Sequence, residues 1–380
     1  MIESDFILGE FEASKATEGS VTWKTPSNIA LVKYWGKQEP QIPENTSISL
    51  TLDACFTLTT LQYKKRYSEV DLESSNEILK QVQHNESRFK FEVFFEGEKK
   101  DDFKPKIETF FNRIEKYVPF LKEYEFVIKS RNSFPHSSGI ASSASGMSAL
   151  ALCVMSIEKE LNPEITTEYF YKKASFLARL GSGSACRSVE GEIIVWGNHS
   201  EIKGSSDLFG VKYPNKVHEN FKNYHDTILL VDEGEKQVSS TVGHKLMHNH
   251  PFAKQRFLQA NENISKISEV LQNGNLKEFI AIVESEALSL HAMMMTSNPY
   301  FILMKPNTLK IINKIWEFRA ETNSNICFTL DAGANVHVLF PEIEKELVNN
   351  FIIKELIQFC QENHYICDRV GQGAKQLLNN

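Results

Sequence analysis

The sequence predicts an α+β fold that is divided into two domains. The chain has 380 residues, more than a single hydrophobic core usually holds, so two domains of ordinary size are expected. Predicted strands and helices alternate without the regular β-α-β repeat of a parallel sheet, which favours an α+β arrangement. Over residues 197–214 the composition changes to Gly, Ser, Asn and Lys, as is typical of a connection. We therefore expect an N-terminal domain over residues 1–200 and a C-terminal domain over residues 201–380.

Composition and charge argue against several classes of protein. The formal net charge of −7 disfavours a nucleic-acid-binding protein, which normally presents a basic surface, so a bound anion must be met by a few placed cations. Met1–Glu12 contains acidic residues and no long apolar run, and no window is long enough to span a bilayer. We expect a cytoplasmic protein with no membrane partner. The six cysteines have neither paired zinc spacing nor the density of a disulfide scaffold, which predicts free thiols.

In the first domain, strand signals flank a long polar stretch. The run Val21–Lys24 is strand-like, and residues 67–86 are rich in Ser, Asn, Glu and Gln, which predicts an exposed loop. Apolar and charged residues alternate over Phe89–Phe94, which predicts a half-buried antiparallel strand. Its buried face should carry Phe89, Phe91 and Val93.

A loop of small residues, Pro135–Gly146, leads into an amphipathic helix. Apolar residues then recur at three- and four-residue steps, at Met147, Leu150, Val154, Ile157 and Leu161. The helix should begin near Ala141, with its free N–H groups and positive dipole end directed into the loop. Residues without bulk would let a phosphate chain approach the backbone, and serine hydroxyls could bind phosphate oxygens or magnesium. The segment predicts a nucleotide-binding loop, although small residues would also let a helix pack closely on a sheet.

Further elements follow a second small-residue turn at residues 181–188. This turn opens into the apolar strand Ile193–Trp196, and the second domain begins with a buried strand over Thr227–Val231. A helix is predicted over Asn263–Gln272, ended by Gly274.

The last predicted elements are a helix and two strands. The helix covers Thr308–Arg319, with Thr308 as its cap. Its buried stripe should comprise Leu309, Ile312, Ile315 and Trp316. Strands at Ile326–Leu330 and Val336–Phe340 flank the turn Asp331–Asn335.

Four polar segments carry the residue types that anion chemistry needs. Asn28–Lys37 has two lysines and two aromatic residues, and Gly181–Ser188 offers hydroxyls and the guanidinium of Arg187, which can grip a carboxylate or phosphate. Lys236–Thr241 adds a lysine and hydroxyls, and Asp331 could accept a proton from a substrate hydroxyl.

Each segment also has an ordinary structural explanation. Lys33 and Lys37 could be solvated strand residues, and Arg187 could pair with Glu190 or Glu192. The run of Ser239, Ser240 and Thr241 could cap a helix, and Asp331 could be a turn residue.

Five segments together are similar to the diphosphomevalonate decarboxylases, a family in the galactokinase, homoserine kinase, mevalonate kinase and phosphomevalonate kinase (GHMP) superfamily. In order along the chain they are Asn28–Lys37, Pro135–Gly146, Gly181–Ser188, Val238–Gly243 and Asp331–Asn335. The resemblance implies a two-domain GHMP-kinase-like fold with the active-site cleft between the domains. The N-terminal domain would bind ATP, and the C-terminal domain would carry the catalytic aspartate.

The resemblance also implies an activity, namely the ATP-dependent decarboxylation of (R)-5-diphosphomevalonate to isopentenyl diphosphate, with ATP and Mg²⁺ as cofactors and a homodimer as the assembly. By this similarity Asp331, Lys33 and Arg187 are the catalytic residues. Substrate binding would fall to Asn28, Ala30, Tyr34, Lys37, Ser182, Gly183, Ser184, Ser240 and Thr241. ATP binding would fall to Pro135, Ser138, Gly139, Ala141, Ser142, Ser143 and Ser145, with Ser142 or Ser143 near the magnesium ion.

The sequence departs from the family pattern at three places and leaves other activities open. His136-Ser137-Ser138 replaces a Thr-Ala-Ala string, Ala334 stands where proline is usual, and His244 stands where methionine is common. The alternatives are a phosphomevalonate decarboxylase, a mevalonate 3-kinase-like enzyme, or a non-catalytic binding protein of the same fold. His244, His248 and His250 also suggest zinc by their spacing, but they lack the glutamate of an HExxH site.

Overall fold

The computed structural model describes residues 1–11, 16–66, 88–135, 140–234 and 240–378. The polar loop predicted over residues 67–86 lies outside these ranges, as do His136, Ser137 and Ser138. The α+β prediction is confirmed, because the chain forms two main sheets with helices packed against them. None of the described helices is both long and apolar enough to cross a bilayer.

A large, mostly antiparallel sheet organises the first half of the chain. Its centre is a pair of long strands that run together from Glu18↔Lys64 to Val32↔Ile48. The strands of the first half are β1 (Glu18–Val32), β2 (Lys37–Gln38), β3 (Ile42–Pro43), β4 (Ser47–Lys65), β5 (Lys90–Phe95), β6 (Glu98–Lys99), β7 (Tyr124–Asn132), β8 (Ile193–Trp196) and β9 (Val211–Lys212). Strands β2 and β3 form a separate hairpin, and the others belong to the large sheet.

The strand predicted over Phe89–Phe94 is present as β5, but the predicted antiparallel pairing is wrong for its main neighbour, β7. β5 runs parallel to β7, and it is antiparallel only to the short β6. The predicted face is right, since Phe89 and Val93 are buried. Alternation fixes which side chains face the core, whereas the direction of the neighbour depends on the crossover through the helix between β5 and β7.

Three helices cover one face of the large sheet and enclose its core. They are α1 (Lys104–Ile114), α2 (Ser142–Leu161) and α3 (Thr167–Gly181). α2 begins where the sequence predicts, and its residues Leu150, Val154 and Ile157 pack with Trp23 and Leu61 of the sheet. A short 3-10 turn, Gly183–Ser188, follows α3 and leads into the predicted strand β8.

The second half builds a smaller antiparallel sheet in the order β11-β12-β10-β13. Its strands are β10 (His225–Leu229), β11 (Cys327–Thr329), β12 (Val336–Phe340) and β13 (Tyr365–Arg369), and a last strand is β14 (Lys375–Leu377). Its helices are α4 (Ser240–Lys245), α5 (Ala253–Asn273), α6 (Leu276–Met295), α7 (Pro306–Thr322) and α8 (Lys345–Phe351). As predicted, Gly274 ends α5, where it adopts the left-handed conformation, and the strands β11 and β12 flank the turn that holds Asp331. The start predicted for this helix, Asn263, is wrong, since α5 begins at Ala253.

The buried stripe predicted for α7 is right at Ile312 and Ile315 and wrong at Leu309 and Trp316. Leu309 is 50% exposed and Trp316 is 39% exposed, whereas Thr308, Ile311, Ile312 and Ile315 are buried. Thr308 lies inside the first turn rather than at the cap, where its hydroxyl accepts the N–H of Lys305 and donates to the carbonyl of Ala334. Two apolar registers overlap in this helix, and its contacts with β11 and with residues 352–359 select one of them.

Strands from beyond residue 200 also join the large sheet. β9 pairs with β8, and β14 returns from the end of the chain to pair with β1. The division at residue 200 stays a prediction. The two halves share the large sheet, so residues of both can be held rigidly around one cavity.

Candidate active site

A cavity of about 580 Å³ lies where the two halves meet. Its size is in the range of small-molecule sites. The first half supplies walls from β1, the start of α2 and the turn after α3, and the second half supplies His244, Leu290, Asp331 and Ala332. The sequence-predicted residues in its lining are Ala30, Lys33, Tyr34, Lys37, Ala141, Ser142, Ser143, Ser182, Gly183, Ser184, Arg187 and Asp331.

Lys33 and Asp331 meet in this cavity although 298 positions separate them. The ammonium of Lys33, just after β1, donates to Oδ1 of Asp331 at 2.9 Å. Lys33 is 1% exposed, so it is not the solvated strand residue of the alternative interpretation. Burial lowers the pKa of Lys33, and the charge and hydrogen bond of Asp331 act in the opposite direction. The contact therefore places a buried cation against a carboxylate that faces the cavity.

Arg187 is buried beside this pair and is held by two neutral groups. Its Nε donates to Asn28 Oδ1 at 3.3 Å and its Nη1 donates to Ser47 Oγ at 2.5 Å. Asn28 lies beside the cavity rather than in its lining, and its amide in turn donates to Ser188 Oγ at 2.7 Å. The predicted alternative of a pair with Glu190 does not apply in the described structure, where Glu190 pairs with Lys212. Burial lowers the pKa of Arg187, and no carboxylate of the described residues forms an ion pair with it, which suits it to binding an anion.

Aromatic rings form the wall next to Arg187. The ring of Tyr34 lies 4.7 Å from Trp196 and 4.3 Å from His244, measured between centroids. Gly183 faces these rings so closely that a Cβ there would lie 2.8 Å from Trp196 and 2.9 Å from the Tyr34 hydroxyl. A glycine is therefore required at this point of the turn. Burial raises the pKa of Tyr34, so its phenol stays protonated and can donate a hydrogen bond.

Lysine and serine side chains complete the polar part of the cavity. Lys37 is buried and donates to Gln41 Oε1 at 2.7 Å, and its burial lowers its pKa. Ser182 and Ser143 approach to 3.5 Å between their hydroxyl oxygens, which links the turn after α3 to the start of α2. The two small-residue segments of the sequence thus border one space.

The start of α2 faces the same cavity. Ala141 precedes the helix in the left-handed conformation (φ +50°) and has no polar side chain to cap it. Ser142 and Ser143 lie in the cavity lining, and Ser143 is exposed. An uncapped helix start with hydroxyls beside it is suited to phosphate oxygens.

Several residues that were predicted to bind ligands lie outside the cavity lining or outside the described residues. Ser145 is fully buried and bonds to Thr57, where it holds α2 against β4 instead of reaching the cavity. Pro135 is half-buried and outside the lining. The described ranges do not include Ser138 and Gly139, nor the side chains of Ser240 and Thr241.

Sequence reasoning missed several residues that shape the site. Ser47 holds Arg187, and the sequence signal that could have found it is the polar string Asn45-Thr46-Ser47 at the start of a buried strand. Gln41 and Lys106 also lie in the lining. His291 contacts the main chain of Asp331, for which the sequence offers no signal.

Two of the three histidines that suggested zinc, His244 and His250, make separate contacts. His244 Nδ1 accepts the N–H of Gly36 at 3.0 Å, and its ring lies against Tyr34 and Trp35. Burial, with Lys37 and Arg187 nearby, lowers the pKa of His244 to about 3. His250 instead bonds to the carbonyl of Met293 and to Thr296. Among the described residues, no cluster of three His, Cys, Asp or Glu side chains could hold a metal ion.

Family models match both halves of the chain. Residues 25–207 match the diphosphomevalonate decarboxylase-like N-terminal domain, and residues 227–377 match the mevalonate 5-diphosphate decarboxylase C-terminal domain. The diphosphomevalonate decarboxylase of Saccharomyces cerevisiae is 30% identical over 336 residues, which are 84% of this chain and 77% of the yeast protein.

Solved structures agree with these matches. The mevalonate diphosphate decarboxylase of Enterococcus faecalis is 25% identical, with a TM-score of 0.76 over 96% of this chain and all of the other. A structure described as MDDEF in complex with MVAPP, AMPPCP and magnesium is 26% identical, with a TM-score of 0.77 and the same coverage. The sequence and structure comparisons therefore point to the same group of proteins.

Proposed function

The chain belongs to the diphosphomevalonate decarboxylase family, and on that premise we propose that the cavity between its two halves is the active site. The protein catalyses the ATP-dependent decarboxylation of (R)-5-diphosphomevalonate to isopentenyl diphosphate, with release of ADP, phosphate and CO2. The observation that carries the site assignment is the contact of Lys33 with Asp331 beside the buried Arg187. An ammonium, a carboxylate and a guanidinium are the groups that this reaction needs in one place.

The first step is phosphorylation of the C3 hydroxyl, since a tertiary hydroxyl is a poor leaving group. The hydroxyl oxygen attacks the γ-phosphorus of ATP, the bond from that phosphorus to ADP breaks, and Asp331 takes the hydroxyl proton. Lys33 lies against the same carboxylate and stabilises negative charge on the incoming phosphoryl group. Because Lys33 and Asp331 are in contact, the group that accepts the proton and the group that stabilises the negative charge lie at the same reacting centre.

The second step breaks the bond between C3 and the phosphorylated oxygen. Phosphate leaves with that electron pair, the bond from C1 to C2 breaks, and its electrons form the double bond between C2 and C3 as CO2 departs. Arg187 would hold the C1 carboxylate, since its guanidinium is fixed by Asn28 and Ser47. This fixes the carboxylate opposite the leaving group, so that both bonds can break in the required alignment.

The remaining polar groups would position the substrate diphosphate. Tyr34 offers a protonated phenol and Lys37 a cation, while Ser182 and Ser184 offer hydroxyls at the turn after α3. Ala30 and Gly183 leave room where larger side chains would fill the cavity. Ser240 and Thr241 belong to the same proposal by family similarity.

ATP would lie along the start of α2, with its phosphates towards Ser142 and Ser143. Mg²⁺ takes oxygen ligands and keeps several waters, so one serine hydroxyl together with the phosphates is a suitable set. The ion, bound with ATP, neutralises phosphate charge. Apolar side chains further along the cavity offer a surface for the adenine ring: Val93, Phe95, Phe103, Ile107 and Ile128.

The decisive experiment follows ADP and CO2 together. The protein is incubated with ATP, magnesium and, in turn, mevalonate, 5-phosphomevalonate and 5-diphosphomevalonate. We expect ADP and CO2 in equal amounts, fastest with the diphosphate. Faster turnover of the monophosphate would instead identify a phosphomevalonate decarboxylase, and ADP without CO2 would identify a 3-kinase. Nucleotide binding without ADP release from any substrate would identify a non-catalytic protein.

By family similarity we also propose a cytoplasmic homodimer. Sedimentation analysis of the purified protein would give twice the mass of one chain, and a single-chain mass would contradict this assembly.

A further inference from the structure

Helix α6 brings two buried polar side chains to the main chain of the two residues that form the catalytic contact. Glu286 is fully buried, and its Oε2 accepts the N–H of Lys33 at 2.8 Å. His291, 1% exposed and little more than one turn further along, places Nε2 3.1 Å from the carbonyl oxygen of Asp331. One helix therefore contacts both Lys33 and Asp331, which come from different sheets.

The carboxylate of Glu286 is itself held tightly. Arg256 of α5 donates to both of its oxygens, with Nη1 at 3.0 Å from Oε1, and Asn263 donates to Oε1 at 2.7 Å. A buried ion pair usually contributes little to stability compared with apolar residues of similar volume. Three donors from Arg256 and Asn263 hold this buried carboxylate, and the fourth donor is the N–H of Lys33. The arrangement is better explained by its effect on the position of Lys33 than by a gain in stability.

The peptide groups on both sides of Lys33 are fixed. Lys33 follows the last residue of β1, so the ladder with β4 no longer serves its N–H, and Glu286 accepts that N–H instead. Asn45 donates to the carbonyl of Lys33 at 2.9 Å. The flexible side chain of Lys33 therefore starts from a main chain that is held both by Glu286 of α6 and by Asn45, between β3 and β4.

The contact of His291 defines which of its nitrogens carries the proton. A carbonyl oxygen only accepts, so Nε2 must be protonated and donate. Burial lowers the pKa of His291 to about 4, with the charge of Lys33 acting in the same direction, so the ring is neutral at neutral pH. A neutral ring can make this bond without adding a second positive charge beside Lys33.

We propose that α6 is the positioning element of the active site, with Glu286 holding Lys33 and His291 holding Asp331. This inference rests on the proposed function of the cavity. A misplacement of about 1 Å between reacting groups can lower a rate by about a hundredfold, so the relative position of the two main chains matters for turnover. Neither side chain needs to touch the substrate for this effect.

The role of Glu286 is tested by two double variants that leave no unpaired buried guanidinium. Both carry Arg256→Met; one adds Glu286→Gln, which keeps an acceptor for the N–H of Lys33, and the other adds Glu286→Leu, which removes it. We expect kcat of the Leu variant to be at least about tenfold below that of the Gln variant. The KM values for ATP and for 5-diphosphomevalonate should stay nearly unchanged.

The role of His291 is tested by two single variants, neither of which changes a buried charge. His291→Gln keeps an N–H donor for the carbonyl of Asp331, and His291→Leu removes it. The Gln variant should retain most of the wild-type kcat, while the Leu variant should lose about tenfold or more. This pair also decides the proposal if the Glu286 variants do not fold, as judged by circular dichroism.

The matched control is the buried ion pair between Glu158 and Lys173, whose side chains are 1% and 0% exposed. It joins α2 to α3, and neither residue lines the cavity. Glu158→Leu with Lys173→Met should change the midpoint of urea unfolding without lowering kcat.

Two results would overturn the positioning role. One is an equal kcat in the Leu and Gln members of each pair, and the other is a loss confined to KM. ADP and CO2 are measured together in every assay. A wild-type protein that releases ADP without CO2 contradicts the decarboxylase function, while the comparison of the pairs remains valid on ADP release.

Discussion

At the residue scale, burial determines how strongly the charged side chains of the cavity interact with a ligand. Lys33 and Arg187 are cations taken out of water, and each has only a few fixed partners. Such groups interact strongly with an arriving anion because the surroundings have a low dielectric constant and need no rearrangement. Burial of these cations costs free energy while the site is empty, and it strengthens their attraction for the charged substrates when these bind.

Asp331 is the residue whose proposed role as a base can be removed with the least change of side-chain shape. Asp331→Asn keeps the size of the side chain but cannot accept the proton of the C3 hydroxyl. We expect turnover to fall by about 10²- to 10⁴-fold, the usual contribution of a general base. Titration calorimetry should show ATP binding close to that of the wild type, and near-normal turnover would contradict the assigned role.

Arg187 should act on the substrate rather than on the nucleotide. Arg187→Lys keeps a charge but loses the planar pair of donors. We expect kcat/KM for 5-diphosphomevalonate to fall by about 10- to 100-fold, since a hydrogen bond to a charged group contributes about 1.5–3 kcal/mol. Steady-state kinetics should show an unchanged KM for ATP, and equal losses for both substrates would argue against a carboxylate clamp.

At the element scale, the ends of helices set the geometry that the site uses. The uncapped start of α2 faces the cavity, whereas the end of α5 is closed by Gly274 in the left-handed conformation (φ +80°). A Cβ on Gly274 would lie 2.4 Å from the ring of His218. The start of α2 can therefore bind a ligand, whereas the end of α5 contributes to the stability of the fold.

Replacement of Gly274 tests this element directly. We expect Gly274→Ala to lower the free energy of unfolding by more than about 1–2 kcal/mol, the backbone cost of a left-handed residue, because the contact with His218 adds to that cost. Gly204→Ala is the matched control, since Gly204 has a similar φ of +79° and no atom within 4 Å of an added Cβ. Urea unfolding measures both, and equal losses would show that the His218 contact costs nothing.

At the scale of the whole molecule, hydrogen bonds join the two sheets. The carboxylate of Asp368 on β13 accepts the N–H groups of Asp53, Ala54 and Cys55, where the regular pairing of β4 with β1 is interrupted. With β14 paired to β1, this contact ties the end of the chain to the large sheet. The cavity walls from the two halves therefore belong to one hydrogen-bonded framework.

The stability of the whole molecule should depend on pH through its buried histidines. His291 and His244 have folded pKa values of about 4 and about 3, below their ordinary value of 6.5. Below about pH 6.5 the unfolded chain binds protons that the folded chain does not, so stability falls as the pH decreases towards those values. Each histidine contributes about 1.4 kcal/mol per pH unit.

Urea unfolding of the wild type and of His291→Gln at about pH 7 and pH 5 measures this dependence. Burial raises the pKa of Asp368 and Glu158, which acts in the opposite direction, so the comparison with the variant isolates the histidine. The variant should lose less stability on acidification. An identical loss would show that His291 does not titrate as its burial implies.

The sequence by itself determined the α+β class, the start of α2, the end of α5 and the strands around Asp331. These features depend on local periodicity and on turn residues, which act over a few positions. It also predicted Lys33, Arg187 and Asp331 as site residues through a resemblance of motifs, and these three side chains line one cavity.

Only the tertiary structure decided how these pieces meet. The parallel pairing of β5 with β7, the register of α7 and the inward turn of Ser145 depend on neighbours that are distant along the chain. Glu286 and His291 carry no local signal, because their importance comes from main-chain atoms that lie 253 and 40 positions away along the chain. Local preference fixes the elements, whereas long-range packing fixes which groups face one another.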